Sequence, residues 1–301
     1  MTRGTPTSVG SLSYCAVKPQ QQKRDKSRAV QPRAEEQVRQ IYRKLAEAWG
    51  AQHWWPAESP FEVMVGAILT QNTSWTNVER AMAKLREAGA LNLDGIRNLP
   101  LGELEQLIRS SGYFRQKAQR MKDFVAFIDA KHGGSLEQMF ATPSSELRAE
   151  LLTQKGIGME TADSILLYAG LHSVFVVDAY TRRIFERHGM VRESAKYDDV
   201  RLLVERTLAA ENVPDVASAV GPGSRPEVHP PSAMSTAQQS RQTRVYNEMH
   251  GLLVQVGKHY CDKRQPKCDM CPLGEWLSAR QRARLQAAGR DINRRVTQKA
   301  E

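Results

Sequence analysis

The stretch that decides the fold runs Leu151-Leu152-Thr153-Gln154-Lys155-Gly156-Ile157-Gly158-Met159-Glu160-Thr161-Ala162. Leu147, Leu151 and Leu152 recur at helical spacing before it, and Thr161–Tyr168 resumes a helical pattern after it. Between them stands a Gly-Ile-Gly turn, too short for anything but a tight link between two helices. Glycine supplies the backbone angles such a turn demands, and Ile157 can pin it to a core. The amides of Gly156 to Met159 then face outward at a helix N-terminus, which favours an anion such as phosphate. On its own the turn is equally a plain packing corner between helices.

Outward from this turn the same rhythm holds. Ile41, Leu45 and Ala48 mark a helix that ends near Gly50. Ser59-Pro60 starts a second, and Phe61–Thr70 is apolar enough to be buried nearly all round. Val78, Met82 and Leu85, then Leu104, Leu107 and Ile108, then Phe114–His132 follow, each stopped by a glycine. Thr142-Pro143 opens the helix that leads into the turn. Asp178–Arg187, Asp198–Leu208 and Val245–Val256 complete the set. Val174-Phe175-Val176-Val177 is the one β-rich run, and it reads either as a strand or as a buried connection. The expected class is all-α, with about ten helices in two lobes.

The 301 residues carry 43 Lys+Arg against 33 Asp+Glu, a formal net charge of +10. The excess sits at the ends. Residues 1–34 hold seven basic residues against the single acid Asp25, and 272–301 hold seven against three, which leaves the body balanced. A polyanionic partner follows from the charge, though charge says nothing of fold. Membrane-spanning and disulfide-scaffold classes are excluded: no apolar run nears ~18 residues, and four cysteines suit a reducing, cytoplasmic compartment. Met1–Gln20 lacks the apolar core of a signal peptide. The expected organisation is a disordered basic tail over 1–34 and a helical lobe over 60–177. A second, discontinuous lobe covers 35–59 with 178–277, and a basic tail covers 278–301. Residues 212–243, rich in Gly, Pro, Ser and Gln, are expected to form a disordered insertion.

Beyond the turn, Val176-Val177-Asp178 delivers one carboxylate to the start of an arginine-rich helix. By itself Asp178 is a helix N-cap. Taken with the turn and with Leu69-Thr70-Gln71-Asn72-Thr73 upstream, it resembles the helix-hairpin-helix (HhH-GPD) DNA glycosylase superfamily, of which endonuclease III is a member. The resemblance spans roughly Trp54 to Cys271. Phe61–Thr73, Ser111-Gly112-Tyr113, Gln116-Lys117-Ala118 and Gln154–Gly158 place it nearest the 3-methyladenine DNA glycosylase branch.

The resemblance implies an enzyme that flips a damaged base out of double-stranded DNA and hydrolyses its N-glycosidic bond. Asp178 would be the carboxylate that stabilises the cationic sugar and orients water. Lys155, Gly156, Ile157, Gly158 and Met159 would grip the backbone, and Gln71 would fill or read the vacated stack. Trp55, Pro56 and Trp75 would form the base pocket, where stacking suits an electron-poor alkylated purine. Arg115, Lys117, Arg120 and Lys122 are further candidates for backbone contact, or a plain solvated helix face.

Bifunctional members carry a Schiff-base lysine where this chain has Glu160, and a carboxylate forms no imine. The implied enzyme is therefore monofunctional, and it is expected to be a monomer. An endonuclease III-like glycosylase/lyase and a non-catalytic DNA-binding relative are the alternatives. Cys261-x6-Cys268-x2-Cys271 resembles that family's iron–sulfur loop, but the fourth cysteine position is Leu277. The loop holds either a [4Fe–4S] cluster with an incomplete thiolate set, another metal, or a remnant.

Overall fold

The computed structural model describes residues 33–209 and 230–285, together with Met1, Val30, Val213 and Ala287. Twelve α-helices follow one another among these residues. They are α1 Ala34–Trp49, α2 Pro60–Leu69, α3 Trp75–Glu87, α4 Leu93–Asn98, α5 Leu101–Leu107, α6 Phe114–His132, α7 Leu136–Ala141, α8 Ser144–Leu152, α9 Met159–Ser164, α10 Ala179–Arg187, α11 Tyr197–Thr207 and α12 Arg241–His259. α9 widens without interruption into a π-turn over Ile165–Ala169. The all-α expectation holds. α4 and α7 were not anticipated, because six residues are too few to show a period; Asn92 and Ser135 cap them.

α2 is the axis of the molecule. The Ser59 hydroxyl accepts from Glu62 N and Pro60 occupies the first turn, so the start is fixed by local chemistry. Every residue from Phe61 to Leu69 is buried. α2 packs on α3, α6 and α9 and on the π-turn. α1 packs instead on α11 and α12, and α10 lies along α12. The hairpin thus leads into a helix packed on α2, Asp178 opens a helix that lies along α12, and the π-turn after α9 packs on both α2 and α12.

Val174–Val177 is a connection, not a strand. These four side chains are 0–6% exposed, and side chains meet backbone amides that a neighbouring strand would otherwise meet. Phe175 N donates to Glu205 Oε1 at 2.9 Å and Val177 N to the Tyr197 hydroxyl at 3.1 Å. The sole backbone bridge among the described residues joins Val30 and Val191.

The expected insertion over 212–243 needs correction at its end. Residues 214–229 lie outside the described residues, as does nearly all of the 1–34 tail and of 278–301 beyond Leu285. From 230 to 243 the chain is ordered against the core. Ser232 Oγ donates to Trp55 O and accepts from Ala57 N, and Met234 is 8% exposed. Ser240 then caps α12 by accepting from Thr243 N at 3.0 Å. Polar composition hid this anchoring because its bonds are made to distant backbone.

Candidate active site

The hairpin is built as its sequence requires. α8 ends at Leu152, Gly156 takes φ +84°, and Gly158 leads into α9 in an extended conformation. A Cβ on Gly156 would also fall 2.2 Å from Arg120 Nε, so a larger residue would have to displace that side chain as well as strain the backbone. Ile157 is 7% exposed and faces the core. Its amide donates to Gln154 O, so this one amide of the turn is engaged internally.

Gln71 lies against the hairpin. Its Nε2 donates to Gly156 O at 2.9 Å and to Thr161 Oγ1 at 3.0 Å, while Arg120 donates to its Oε1 at 2.8 Å. The end of α2, the hairpin and α6 are clasped by one amide.

Three of the four basic candidates on α6 are also engaged inside the protein. Lys117 is 1% exposed and donates to Leu69 O and Ser111 O, closing the C-terminal end of α2. Burial, with Arg120 adding to it, lowers the Lys117 amine to about 8. Lys122 donates to the carbonyls of Ile96, Arg97 and Leu99. Arg115 alone remains solvated, its side chain 80% exposed. Helical spacing put all four on one helix but gave no hint that carbonyls at helix ends would claim the amines.

A cleft of about 1290 Å³ brings the remaining candidates together. Gln71, the hairpin from Gly156 to Glu160, and Asp178 line it, with Trp54, Trp55 and Trp75 as a wall. The Trp55 ring meets Trp75 edge-on at 5.2 Å and tilts against Tyr168 at 5.3 Å. Lys258 stands over the Trp54 ring at 5.1 Å. Pro56 is half-buried and Lys155 exposed, and neither lines the cleft.

Asp178 is both cap and cleft carboxylate. Oδ1 accepts from Thr181 N at 2.7 Å, which starts α10. Oδ2 lies 3.7 Å from His250 Nε2. His250 itself escaped the sequence reading. The signal was a polar run, Asn247-Glu248 and His250, inside a helix whose residues from Val245 to Gly257 are all buried.

Glu160 shares the cleft. Solvent reaches the residue, yet protein surrounds its carboxyl, and burial with nearby Asp178 pushes it up from 4.5 to about 7. An unfolded chain ionises it near 4.5, so the folded state loses stability as pH rises from 4.5 to about 7. Glu160→Gln is expected to melt roughly 1–3 °C above the parent near pH 8 and level with it near pH 4. Thermal melts at the two pH values check this.

The cysteine loop does not form a four-thiolate site. Cys261, Cys268 and Cys271 are free thiols around a void of about 10 Å³. Leu277, 6% exposed, closes that void with hydrocarbon where a fourth sulfur would be needed. Arg187 donates to Cys261 Sγ at 3.1 Å and to Asp262 O and Lys263 O, and ties the loop to α10. Among the described residues no three His, Cys, Asp or Glu side chains converge as a metal would require.

An all-helical frame with a glycine hairpin and two carboxylates, Asp178 and Glu160, on one cleft is the arrangement that the resemblance to base-excision glycosylases leads one to expect. Comparison with known proteins agrees. Residues 65–209 match the family described as HhH-GPD superfamily base excision DNA repair protein. A Methanocaldococcus jannaschii protein named as a DNA repair glycosylase, MJ1434, is 40% identical over 243 residues, covering 80% of this chain and 96% of its own. Endonuclease III of Sulfolobus acidocaldarius is 24% identical, covering 72% and 80%. The structure of the H. pylori 3-methyladenine DNA glycosylase MagIII, bound to 1,N6-ethenoadenine, superposes with a TM-score of 0.57 at 30% identity, covering 75% of this chain and 97% of that one. The chain belongs to the HhH-GPD superfamily and is a DNA glycosylase of that family. No helix among the described residues is long and apolar enough to cross a membrane.

Proposed function

We propose that this protein acts as a monomeric, monofunctional glycosylase that releases an alkylated purine from double-stranded DNA. The observation that carries the reading is the meeting of Asp178, the hairpin and a tryptophan wall on one cleft. The flipped base would stack on Trp55 and Trp75, whose buried indole N–H groups have no partner here. Asp178 Oδ2 would face the sugar as positive charge develops at the carbon losing the base, and would hold the attacking water. The amides flanking Ile157 would hold a backbone phosphate, with Lys155 beside them. Gln71 would leave the hairpin to enter the gap in the duplex. The likeness to MagIII supports the substrate class, and the likeness to the M. jannaschii protein supports glycosylase activity alone. Residues 60–177 would form one lobe and 35–59 with 178–277 the other.

Glu160 supports hydrolysis without strand cleavage, because the cleft offers a carboxylate where imine chemistry needs an amine. The test is release of free base from a panel of defined lesion duplexes, with borohydride trapping in parallel. Alkylated purines are expected to be released and no covalent adduct to form. A strong adduct lost in Lys155→Ala or Lys258→Ala would overturn the monofunctional reading.

A further inference from the structure

Behind Asp178 two buried polar side chains form a short chain that ends at the cleft. Tyr168, on the π-turn, and His250, on α12, are 2% and 4% exposed. The Tyr168 oxygen lies 2.5 Å from His250 Nδ1, and His250 Nε2 lies 3.7 Å from Asp178 Oδ2. His250 Nε2 is buried, lines the cleft and has no hydrogen-bond partner. That gap is too long for a hydrogen bond.

The tautomer follows from the neighbours. A neutral imidazole has one donor and one acceptor nitrogen. Burial holds His250 below its ordinary value, with Asp178 pulling weakly the other way, so the ring is neutral. Burial holds Tyr168 well above its own value, with Asp178 and Glu248 adding to it, so the hydroxyl keeps its proton. A carboxylate beside Nε2 favours a proton on that nitrogen. Nδ1 is then the acceptor, and the Tyr168 hydroxyl donates to it. The other face of the ring meets Phe175 at 6.3 Å. Arg120, Glu160 and Lys258 are the remaining charged side chains lining the same cleft.

We propose that Tyr168 and His250 are positioning residues for the carboxylate, with Tyr168 fixing the Nε2–H tautomer and His250 closing on Asp178 Oδ2 when DNA fills the cleft. With Oδ1 held by Thr181 N, the second N–H fixes the rotation of the carboxylate toward the sugar. Without Tyr168, Nε2 can present a lone pair to Oδ2 and push it away. The inference rests on Asp178 as the carboxylate of base release.

Two measurements test it separately from that reading. Nitrogen-15 NMR of the labelled full chain is expected to show His250 neutral with its proton on Nε2, and to show that preference weakened in Tyr168→Phe. Single-turnover release from methylated duplex DNA, across roughly pH 5–8, is expected to slow about 10-fold in Tyr168→Phe with duplex affinity unchanged. His250→Gln, which keeps an N–H on that side, should retain more activity than His250→Leu. A proton on Nδ1 in the parent, or undiminished release in Tyr168→Phe, overturns the proposal. A parent that releases nothing from methylated DNA sinks the substrate reading, and the NMR result then decides the tautomer on its own.

Discussion

Asparagine in place of Asp178 is expected to slow base release by roughly 10²–10⁴-fold while duplex DNA still binds. The substitution is nearly silent structurally. Asparagine is as good an N-cap as aspartate, so its Oδ1 can still accept from Thr181 N, now 2.7 Å away, and α10 starts where it did. What would disappear, on the proposed reading, is the negative charge beside the sugar as its bond to the base breaks. The hairpin is joined to α9 and not to α10, so the proposed backbone contacts are expected to survive. Single-turnover release and fluorescence anisotropy on the same duplex separate the two effects. Undiminished release in Asp178→Asn would remove the carboxylate from the chemistry and leave the cleft as a binding site.

Methionine in place of Arg148 is expected to cost the fold about 3–5 kcal/mol, the usual loss when one partner of a buried ion pair is removed. Arg148 Nε and Nη2 meet the two oxygens of Asp163 at 2.6 and 3.1 Å, and Nη2 also meets Asp198 at 3.0 Å. Asp163 is 0% exposed. Burial raises its carboxyl above the usual range even with Arg148 in place, so losing the guanidinium strands a group water cannot reach. The pair ties α8 to α9 and α11. The Tyr197 hydroxyl bonds Asp163 and accepts from Val177 N, so the same network reaches the residue before Asp178. Urea denaturation gives the loss directly. A companion Asp163→Leu in the Arg148→Met background should recover much of it, because the stranded carboxylate goes too. A loss under about 1 kcal/mol in Arg148→Met would show that the Tyr197 hydroxyl and the Arg201 charge suffice to hold Asp163.

The sequence made the helices legible because their apolar positions repeat locally, and the hairpin because its glycines answer a steric demand. Asp178 was legible as a cap and, by resemblance, as a site. The tryptophans were visible as a cluster, but Pro56 stands outside the cleft and Trp54 inside it, a distinction made by packing alone. His250, Tyr168 and the Arg148–Asp163–Tyr197 network were not legible. Each depends on partners 15 to 82 residues apart, and one buried polar side chain in a helix looks like any other until its partner is placed. The fourth ligand position was the reverse case: Leu277 announced the incomplete thiolate set, and the structure fills that place with hydrocarbon.

The commitments of Lys117, Arg120 and Lys122 inside the protein also bear on how binding responds to ionic strength. A cation that neutralises a DNA phosphate releases condensed counterions, which steepens the fall of log affinity with log salt by about 0.9 per phosphate. Lys117 and Lys122, held by backbone carbonyls, release none, whereas Arg120 is freed for a phosphate once Gln71 leaves the hairpin. The described body is therefore expected to bind DNA with a slope shallower by roughly 2 than its count of basic residues suggests. Its grip on the duplex leans correspondingly on neutral amides and on shape.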